Sequence, residues 1–257
     1  MTTVSLRCTV QQVREVADNV HVLSFIAPSI SSSVKAGQFL SIKVDDSHDP
    51  LLRRPFSVYR TEGGSVEIIF NVIGRGTANL SRKRPGESLD VIGPLGTPFS
   101  LSGPEFKTGV LIGGGLGVAP LPLATAGLIA AGKGVETFIG ARSRRHLAVS
   151  HLRNVHVATD DGTEGHHGTV VDLVSTIFGT TRFPSPKIFA CGPTPMLRAL
   201  AAFVRENNLL CEVSLEGPMG CGIGICQGCP VELEGEGKKY ALMCKDGPTF
   251  ELRRVRL

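Results

Sequence analysis

The sequence lacks both a strong net charge and a long uninterrupted apolar segment. Its 257 residues carry a formal net charge of only +4, and basic residues are scattered except at 142–145 and near the C-terminus, so nucleic-acid binding is not indicated. The stretch between Lys107 and Lys133 contains no charged residue and is long enough for a membrane span, which needs about 20 apolar residues. Glycines and prolines divide it into a strand, a loop and a helix. We therefore expect no membrane-spanning segment.

The basic start and apolar core of a secretory signal are also missing from the N-terminal residues MTTVSLRCTVQQV. We therefore expect a cytoplasmic protein. Seven cysteines are present and four of them lie within residues 221–244, which in a reducing compartment favours a metal site over a set of disulfides. Hydrophobic and charged fractions of 42% and 19% are typical of a folded globular enzyme.

The pattern of apolar residues changes twice along the chain and predicts three structural units. Over 1–102, short β-rich runs recur between glycine, proline and polar turns, which predicts a small antiparallel β-barrel. Over 103–214, apolar strands alternate with helices, including one predicted at 118–131, which is typical of a parallel α/β domain. Residues 215–257 are rich in glycine and cysteine and predict a small cluster-binding module. The expected fold class is therefore α+β and multidomain.

The most specific pattern in the chain is formed by Cys221, Cys226 and Cys229, spaced C-x4-C-x2-C, with Cys244 following after fourteen intervening residues. This is the spacing of a plant-type [2Fe-2S] site held by four thiolates. Glycines between the cysteines let the backbone direct N–H groups at the sulfur atoms. A structural zinc site is the alternative, although such sites usually have two short cysteine knuckles and this chain has one. Because the cluster carries single electrons, the iron–sulfur interpretation predicts a flavin that couples it to a two-electron carrier.

Two segments of the predicted barrel have the composition of a flavin site. Residues 54–57 read RPFS and supply a cation, a rigid proline and a hydroxyl at the start of a β-run. Residues 74–80 read GRGTANL, with Thr77 expected at the cap of a short helix, and N–H groups at a helix start bind pyrophosphate. Taken alone, the first segment is equally consistent with a turn into a strand, and the second with an ordinary helix cap.

Two segments of the predicted α/β domain point to a dinucleotide. Residues 113–120 read GGGLGVAP after an apolar strand, and glycines allow the backbone to approach a diphosphate, although the string departs from the Rossmann pattern G-x-G-x-x-G. Residues 191–193 read CGP at the end of another strand, where they would shape a nicotinamide pocket or simply turn the chain into a helix. The second strand ends at GARSRR, 140–145, without the acidic residue common in NAD enzymes. NADP therefore stays open beside NAD.

In this order, RPFS, GRGT, GPLG at 93–96, GGGLGVAP, CGP and the C-terminal cysteines resemble the motifs of the ferredoxin–NADP reductase superfamily. A C-terminal cluster in MGCGIGICQGC, with the closing CKDGP at 244–248, resembles the electron transfer subunits of dihydroorotate dehydrogenase B. The resemblance covers nearly the whole chain. It implies an oxidoreductase subunit that carries FAD and a [2Fe-2S] cluster, uses NAD, and serves an FMN-containing catalytic partner in pyrimidine (UMP) biosynthesis, in a heterotetramer with two copies of each subunit.

The resemblance also implies a route for electrons and a set of contacts. Electrons would pass from the partner's FMN through the cluster to FAD and then, as hydride, to NAD, with no catalytic acid or base on this chain. The implied flavin contacts are Arg54, Pro55, Phe56, Ser57, Asn71, Val72 and Ile73, with Gly76 and Thr77 at the pyrophosphate. The nucleotide side comprises Gly113, Gly114, Gly115, Gly117, Cys191, Gly192 and Pro193. The metal ligands are Cys221, Cys226, Cys229 and Cys244.

Two other functions are consistent with the residues. One is a NAD(P)H-dependent reductase subunit of another complex, of sulfhydrogenase type or linked to ferredoxin, because related chains share the flavin and nicotinamide motifs. The other is a non-catalytic binding scaffold stabilised by zinc. Co-purification with an FMN-containing subunit distinguishes the first from the dihydroorotate dehydrogenase assignment, and a colourless purified protein would indicate the second.

Overall fold

The computed structural model describes residues 3–45, 49–235 and 237–257, and its first part is a closed six-stranded antiparallel barrel. The strands are β1 (Val4–Ala17), β2 (Val20–Ile26), β3 (Phe39–Lys43), β4 (Arg54–Glu62), β5 (Ser65–Asn71) and β6 (Ser88–Leu95), joined in the order β1-β2-β5-β4-β3-β6. Two short helices, α1 (Pro28–Ser31) and α2 (Arg75–Ser81), lie in the connections. The barrel interior is an apolar core that includes Phe25, Ile42 and Ile68. The barrel predicted from the sequence is confirmed.

The second part is a seven-stranded sheet flanked by helices. Its elements and those of the C-terminal segment are β7 (Thr108–Gly114), α3 (Leu121–Ala130), β8 (Gly134–Ala141), β9 (Val155–Thr159), β10 (His166–His167), α4 (Val170–Thr180), β11 (Pro186–Cys191), α5 (Thr194–Glu206), β12 (Leu210–Ser214), β13 (Pro230–Glu232), β14 (Tyr240–Leu242) and β15 (Thr249–Glu251). The order is β10-β9-β8-β7-β11-β12-β15, and every neighbouring pair is parallel except β12 with β15. The predicted parallel α/β architecture is therefore confirmed.

The helices form where apolar residues recur at helical spacing and where their ends are capped. In α5 the buried residues Leu197, Leu200 and Phe203 lie three apart and face the sheet. At the start of α4, the Thr169 hydroxyl accepts the Asp172 N–H at 3.2 Å, and the Asp172 carboxylate accepts the Thr169 N–H at 3.1 Å. This reciprocal pair is a capping box.

The helix predicted at 118–131 begins later than expected. A 3₁₀ turn spans Gly115–Val118 and α3 starts only at Leu121. Pro120 lies between them, and proline cannot donate a backbone hydrogen bond within a helix, so it ends the first turn and stands before the second. The glycine-rich loop is thus a tight turn in its own right and not the first turn of the long helix.

The C-terminal segment is an excursion from the sheet that returns to it. Strands β13 and β14 form a small antiparallel hairpin, and β15 then pairs with β12, Ser214 opposite Thr249. The predicted third unit, 215–257, therefore shares its last strand with the sheet of the second. Because Ser214 and Thr249 are paired, the excursion leaves and re-enters the sheet at one place.

A buried lysine in the sheet forms ion pairs with β12 and with the connection that joins the barrel to the sheet. Lys187, at the start of β11, has a side chain only 8% exposed and lies 2.8 Å from Glu212 and 3.2 Å from Glu105. Glu212 also accepts the backbone N–H of Ser100 at 2.8 Å. Both Ser100 and Glu105 belong to the connection between β6 and β7. Within the described ranges no helix is both long and apolar enough to cross a bilayer.

Candidate cofactor site and cysteine cluster

A cavity of about 750 Å³ lies between the barrel, the sheet and the C-terminal segment. From the barrel side it is lined by Phe39, Asp49, Pro50, Arg54, Pro55, Phe56, Ser57, Ile69, Phe70, Asn71, Ile73, Gly74, Arg75, Gly76 and Thr77. The opposite wall comprises Leu116, Ala119, Ser214, Leu215, Glu216, Gly217, Met219 and Pro248. Pockets of this size hold drug-sized or larger organic ligands. Every residue of the predicted RPFS and pyrophosphate contacts lines this one cavity.

The two predicted flavin segments are brought together by β4 and α2. Arg54 opens β4, and its side chain reaches so close to α2 that a Cβ on Gly76 would lie 3.5 Å from the Arg54 Nε atom. The Arg54 guanidinium also donates to the Leu52 carbonyl at 2.6 Å, which fixes its direction. The Arg54 cation therefore lies beside the start of α2, an arrangement suited to an anionic group.

The cap of α2 differs from the prediction. Gly74 is the N-cap residue and Thr77 is the third residue of the helix, not the cap. The Thr77 hydroxyl accepts N–H groups from Ile73 at 3.0 Å and Gly74 at 3.3 Å. Thr77 therefore organises the turn that precedes the helix, and does so from within it.

Of the three contacts predicted at the end of β5, two line the cavity and one does not. Asn71 and Ile73 line the cavity. Val72 does not appear in its wall, and its backbone N–H and carbonyl are paired with the Asn19 side chain at 3.3 and 3.1 Å. Ile73 is 81% exposed and lies at the rim of the cavity.

The glycine-rich loop and the CGP segment lie directly against each other. A Cβ on Gly117 would fall 1.9 Å from the Cys191 carbonyl oxygen, and one on Gly192 would fall 3.1 Å from the Gly114 nitrogen. A Cβ on Gly114 would lie 3.1 Å from the Pro193 ring. These glycines are therefore required by packing between two loops at neighbouring strand ends. None of them lines the large cavity, which meets this loop instead at Leu116 and Ala119.

Gly115 differs from the other glycines of the loop. Its φ is +55° and no heavy atom comes within 4 Å of the position a Cβ would take. The left-handed backbone favours glycine there. Gly115 is therefore the glycine of this loop that faces open space, and its predicted contact with a dinucleotide stays a prediction.

Cys191 and Glu216 place a thiol and a carboxyl next to each other beside the cavity. The Cys191 Sγ donates to Glu216 Oε1 at 3.7 Å. Burial raises the pKa of the Cys191 thiol well above its usual value, and the nearby Glu216 charge raises it further. Solvent reaches the Glu216 side chain through the cavity, but the protein atoms around it remove enough bulk water to raise the pKa of its carboxyl. Burial therefore shifts the pKa of both groups upward.

The four predicted metal ligands lie in one loop system and fall into two pairs. The Sγ atoms of Cys229 and Cys244 are 3.3 Å apart and both residues are buried. Cys221 and Cys226 lie on the outer side, where Cys226 is exposed and its backbone N–H donates to the Cys221 Sγ at 3.5 Å. Within the described residues, no three histidine, cysteine or acidic side chains surround a point that a single ion would occupy. A [2Fe-2S] cluster holds four thiolates on two irons.

Backbone N–H groups point at the sulfur atoms. Gly224 donates to the Cys244 Sγ at 3.1 Å, and Ile223 donates to the Cys221 Sγ at 3.5 Å. Donation from the N–H groups of Cys226 and Ile223 lowers the pKa of Cys221 to about 6, whereas burial raises the pKa of Cys244 to about 12. Cysteine-only donors with N–H groups directed at sulfur are the ligand set and surroundings of an iron–sulfur cluster. The residues fit the predicted group.

The cysteine loop is packed onto the barrel beside the cavity. A Cβ on Gly222 would lie 3.5 Å from the Ser41 hydroxyl and 3.8 Å from a Leu95 methyl. The same C-terminal segment supplies Met219 and Pro248 to the cavity wall. Cysteine loop and cavity are therefore neighbours, built from one stretch of chain.

The basic residues after β8 are largely paired. Arg144 lies 3.7 Å from Glu164 and Arg145 lies 3.4 Å from Asp18, both on the surface. The carbonyl of Arg145 also accepts the N–H of Asp18 at 2.8 Å, which joins this loop to the β1–β2 turn. Two of the three arginines thus have carboxylate partners on the surface.

Sequence reasoning missed the wall of the cavity that comes from 214–219 and 248. Glu216 belongs to no motif of the sequence, Met219 and Pro248 belong to the cysteine motifs, which gave no sign of a cavity wall, and the approach of all three depends on β15 returning to β12. The pairing of β12 and β15 is a long-range contact without a local sequence pattern. The one available signal was the position of Glu216 directly after a strand end, where ligands of parallel sheets bind.

Comparison with known proteins supplies an independent test. Residues 216–256 match the family model described as the iron–sulfur cluster binding domain of dihydroorotate dehydrogenase B. The electron transfer subunit of dihydroorotate dehydrogenase B (NAD(+)) from Bacillus caldolyticus is 37% identical over 256 residues, with 97% of each chain covered. The corresponding subunit from Shouchella clausii is 38% identical over 259 residues, again with 97% of each chain covered. The chain belongs to this family of electron transfer subunits.

Solved structures agree with the family assignment. An NADH-dependent reduced ferredoxin–NADP oxidoreductase, studied for flavin-based electron bifurcation, superposes with a TM-score of 0.86 at 29% identity, covering 97% of this chain and 89% of that one. Phthalate dioxygenase reductase superposes with a TM-score of 0.60 at 16% identity, over 89% and 86% of the two chains, which shows a shared fold. As a member of the family, the chain is an oxidoreductase electron transfer subunit with an iron–sulfur cluster binding domain.

Proposed function

We propose that this chain accepts electrons from an FMN-containing catalytic subunit that oxidises dihydroorotate, and delivers them through a [2Fe-2S] cluster and FAD to NAD⁺ in pyrimidine biosynthesis. The relatives carry NAD(+) and electron transfer in their names. The assembly we propose is a cytoplasmic heterotetramer with two copies of each subunit. We assign flavin binding to residues 1–102, NAD binding to 103–214 and the cluster to 215–257.

One observation carries this proposal: the cysteine loop and the large cavity share their walls. Met219 and Pro248 line the cavity, and Cys221 and Cys244 lie two and four residues from them in sequence. An electron carrier at the cysteines and an organic cofactor in the cavity would therefore be close neighbours. A cavity and a metal site on opposite faces of the molecule would not support a relay.

The chain's own residues bind, orient and exclude water. A bound flavin supplies the exchange between hydride chemistry and single-electron transfer. Arg54 and the start of α2 provide positive charge for phosphates, and Phe56 and Phe70, stacked edge to face at 5.9 Å, give the cavity an apolar wall. The Cys191 thiol, whose pKa burial raises well above its usual value, keeps its proton beside the opposite wall and donates it to a hydrogen bond with Glu216. The glycine-rich loop and CGP segment lie at the strand ends that face the cavity, the place where we propose the nicotinamide binds.

The surface around the cysteine loop is suited to the catalytic partner. Ile225 is 76% exposed and Ile223 is 46% exposed, and both flank the exposed Cys226. Large apolar side chains grouped on a surface mark interaction sites. Since single-electron transfer requires closeness, we propose that the partner covers this loop.

The test is an anaerobic preparation of the isolated chain with assays for iron, acid-labile sulfide and flavin. We expect all three, FAD as the flavin, and bleaching of its visible absorbance by NADH but not by dihydroorotate, because dihydroorotate oxidation belongs to the partner. Zinc in place of iron, or turnover of dihydroorotate by the isolated chain, would contradict the proposal.

A cysteine variant assigns the cluster to these residues. We expect Cys226→Ser to lose iron and sulfide while retaining FAD, because the exposed Cys226 contributes little to the core. Cys8→Ala, in the barrel and away from the cysteine loop, serves as the control and should keep both cofactors. Retention of the full iron content by Cys226→Ser would refute its role as a ligand.

One observation favours a second candidate, a reductase subunit linked to ferredoxin. The ferredoxin–NADP oxidoreductase covers nearly the whole of this chain at a TM-score of 0.86. Co-purification from the native cell decides between them, since an FMN-containing partner indicates the first function and a ferredoxin the second.

A further inference from the structure

Two threonines join the end of the barrel to the segment that carries the last cluster cysteine. Thr97 lies two residues beyond β6, and Thr249 is the first residue of β15. Their hydroxyl oxygens are 3.1 Å apart, and the Thr249 hydroxyl lies 2.9 Å from the Thr97 carbonyl and 3.0 Å from that of Pro98. The Thr97 N–H donates to the Gly247 carbonyl at 2.6 Å. We call these contacts of Thr97 with Gly247 and Thr249 the threonine clasp.

The two hydroxyls of the clasp have more acceptors within reach than they have protons. Each hydroxyl has one proton. If Thr97 donates to the Thr249 oxygen, Thr249 is free to donate to a backbone carbonyl, and both protons are used. Thr249 is only 9% exposed, so loss of its hydroxyl would leave the partly buried Thr97 and Pro98 carbonyls without that donor.

The two segments that the clasp joins are in tight van der Waals contact. A Cβ on Gly96 would lie 2.5 Å from the Pro248 ring and 2.6 Å from the Gly247 carbonyl. A Cβ on Gly37 would lie 2.6 Å from the Thr249 methyl group. Two glycines from the barrel thus let its backbone lie directly on the 247–249 segment, and the clasp fixes the position in which it does so.

The clasp fixes residues 244–248, the short connection between the last predicted cluster ligand and the cavity wall. Cys244 begins this connection and Pro248, in the cavity wall, ends it. Between them the chain forms a compact turn, in which the Asp246 carboxylate accepts the Leu242 N–H at 2.7 Å. The Pro248 carbonyl accepts the Leu215 N–H at 2.9 Å, which ties the turn to the other wall of the cavity.

We propose that Thr97 and Thr249 are positioning residues that set the separation between the cluster and the flavin, and thereby the rate of electron transfer between them. The proposal rests on the proposed function. Neither hydroxyl lies in the cavity wall or among the metal ligands, so the threonines act through the 244–248 turn. In the reaction that is tested, NADH gives a hydride, two electrons and one proton, to the flavin, and the flavin passes one electron to the cluster, whose capacity is one. The remaining electron stays on the flavin.

The test uses the holoprotein and separates the two steps. Rapid mixing with NADH under anaerobic conditions gives the rate of flavin bleaching, and freeze-quenched electron paramagnetic resonance gives the rate of cluster reduction. In Thr249→Val, which keeps the shape and removes the hydroxyl, cluster reduction should slow by about tenfold or more, since small misplacements of reacting groups have large effects on rate. Flavin bleaching should stay within about twofold of the wild type, because the clasp does not contact the nucleotide loops. Thr249→Ser retains the hydroxyl and should restore the rate.

Hydrogen exchange supplies a second measurement that does not depend on turnover. Peptides covering 95–99 and 244–250 should exchange faster in Thr249→Val than in the wild type. Thr97→Val removes the other hydroxyl and should show the same change, and it takes over as the test variant if Thr249→Val does not fold. The matched control is Thr137→Val, because the buried Thr137 hydroxyl donates to the Arg153 carbonyl at 2.8 Å at a site remote from the cysteine loop.

The outcomes separate this proposal from the one on which it rests. A wild-type protein without iron or flavin, or one whose cluster is never reduced by NADH, contradicts the proposed function. If the wild type transfers electrons but Thr249→Val and Thr97→Val do so at the same rate, the clasp has no positioning role. Equal slowing in Thr137→Val overturns it as well, because general destabilisation would then explain the effect.

Discussion

Glu216 is a single side chain whose proton affinity depends on the cavity it faces. Its carboxyl accepts the weak S–H donor of Cys191, and the loss of bulk water outweighs this bond, so that the pKa is raised. A ligand in the cavity would remove more water from the same carboxyl. The residue is thus a reporter of cavity occupancy as well as part of its wall.

Because its pKa is raised, the Glu216 carboxyl is expected to lower the stability of the folded protein as the pH rises. A carboxyl with a raised folded-state pKa favours folding at low pH, and that contribution is lost as the pH rises from the unfolded-state value through the folded-state value. Glu216→Gln removes the titration. We therefore expect its melting temperature to exceed that of the wild type by a margin that grows from about pH 4.5 towards neutrality.

Melting of the two holoproteins by circular dichroism across this range checks the prediction. Glu206→Gln, on the exposed end of α5, is the control and should follow the wild type at every pH. A margin that shrinks as the pH rises would show that the sign of the shift is wrong.

The turn after β7 and the turn after β11 depend on each other. Gly117 lies so close to the Cys191 carbonyl that even one methyl group cannot be placed between them. Each of these loops keeps its shape because the other is there. The geometry of the nucleotide end of the sheet is therefore a property of the pair.

We expect Gly117→Ala to destabilise the protein by about 1–3 kcal/mol, the usual cost of overpacking. The methyl group would overlap backbone atoms, which cannot move aside as a flexible side chain can. Urea unfolding followed by circular dichroism measures the change, since the chain has no tryptophan for fluorescence. Gly179→Ala is the matched control: the position in α4 is open, and alanine there should be neutral or stabilising by about 0.5–1 kcal/mol. Equal stability of the two variants would show that the loops are not in tight contact.

How far the sequence predicts these elements depends on the range of the interactions that form them. The barrel strands and the α/β alternation follow from local periodicity, and the cysteine ligands follow from spacing, so both were predictable. The late start of α3 depends on Pro120, whose effect the glycine string concealed. The two-residue β10 and the return of β15 have no local pattern of their own, because they form only when a distant strand is already in place.

The residues of the candidate site likewise differ in whether local motifs or long-range contacts place them. Most barrel contacts could be predicted because RPFS and GRGT are compact motifs, and the structure gathers them around one cavity. The predicted roles of Gly113, Gly114, Gly117 and CGP at the nucleotide stay predictions. Packing between the two loops accounts for Gly114, Gly117 and Gly192, whereas a Cβ on Gly113 would meet Leu121 and Ile139. The wall from 214–219 and 248 could not be predicted, because it depends on tertiary return of the chain.

At the scale of the whole molecule, one buried cation links the sheet to the connection that leads from the barrel. Lys187 is nearly enclosed and satisfies two carboxylates, one on β12 and one on the connection itself. It also lies over the rings of Phe106 and Phe189, 5.4 and 5.3 Å from their centroids. Charge and packing thus act at the same point.

We expect Lys187→Met to destabilise the protein by about 3–5 kcal/mol, because removing one partner leaves Glu212 buried without its counter-charge. The unfolding midpoint in urea should fall accordingly. Lys187→Met combined with Glu212→Gln removes both charges and should recover part of the loss. If the single variant is as stable as the wild type, the ion pair does not join the two parts.

The side-by-side pairing of Ser214 and Thr249 has a consequence for how such a protein is put together. The segment 215–248, which carries the cysteines, leaves the sheet after Ser214 and returns to it at Thr249, so β12 and β15 remain neighbours in the sheet. Excision of 216–247 would therefore leave the strand order of the sheet unchanged, but it would remove Glu216, Gly217 and Met219 from the cavity wall and uncover the part of the core that packs against Val231 and Met243.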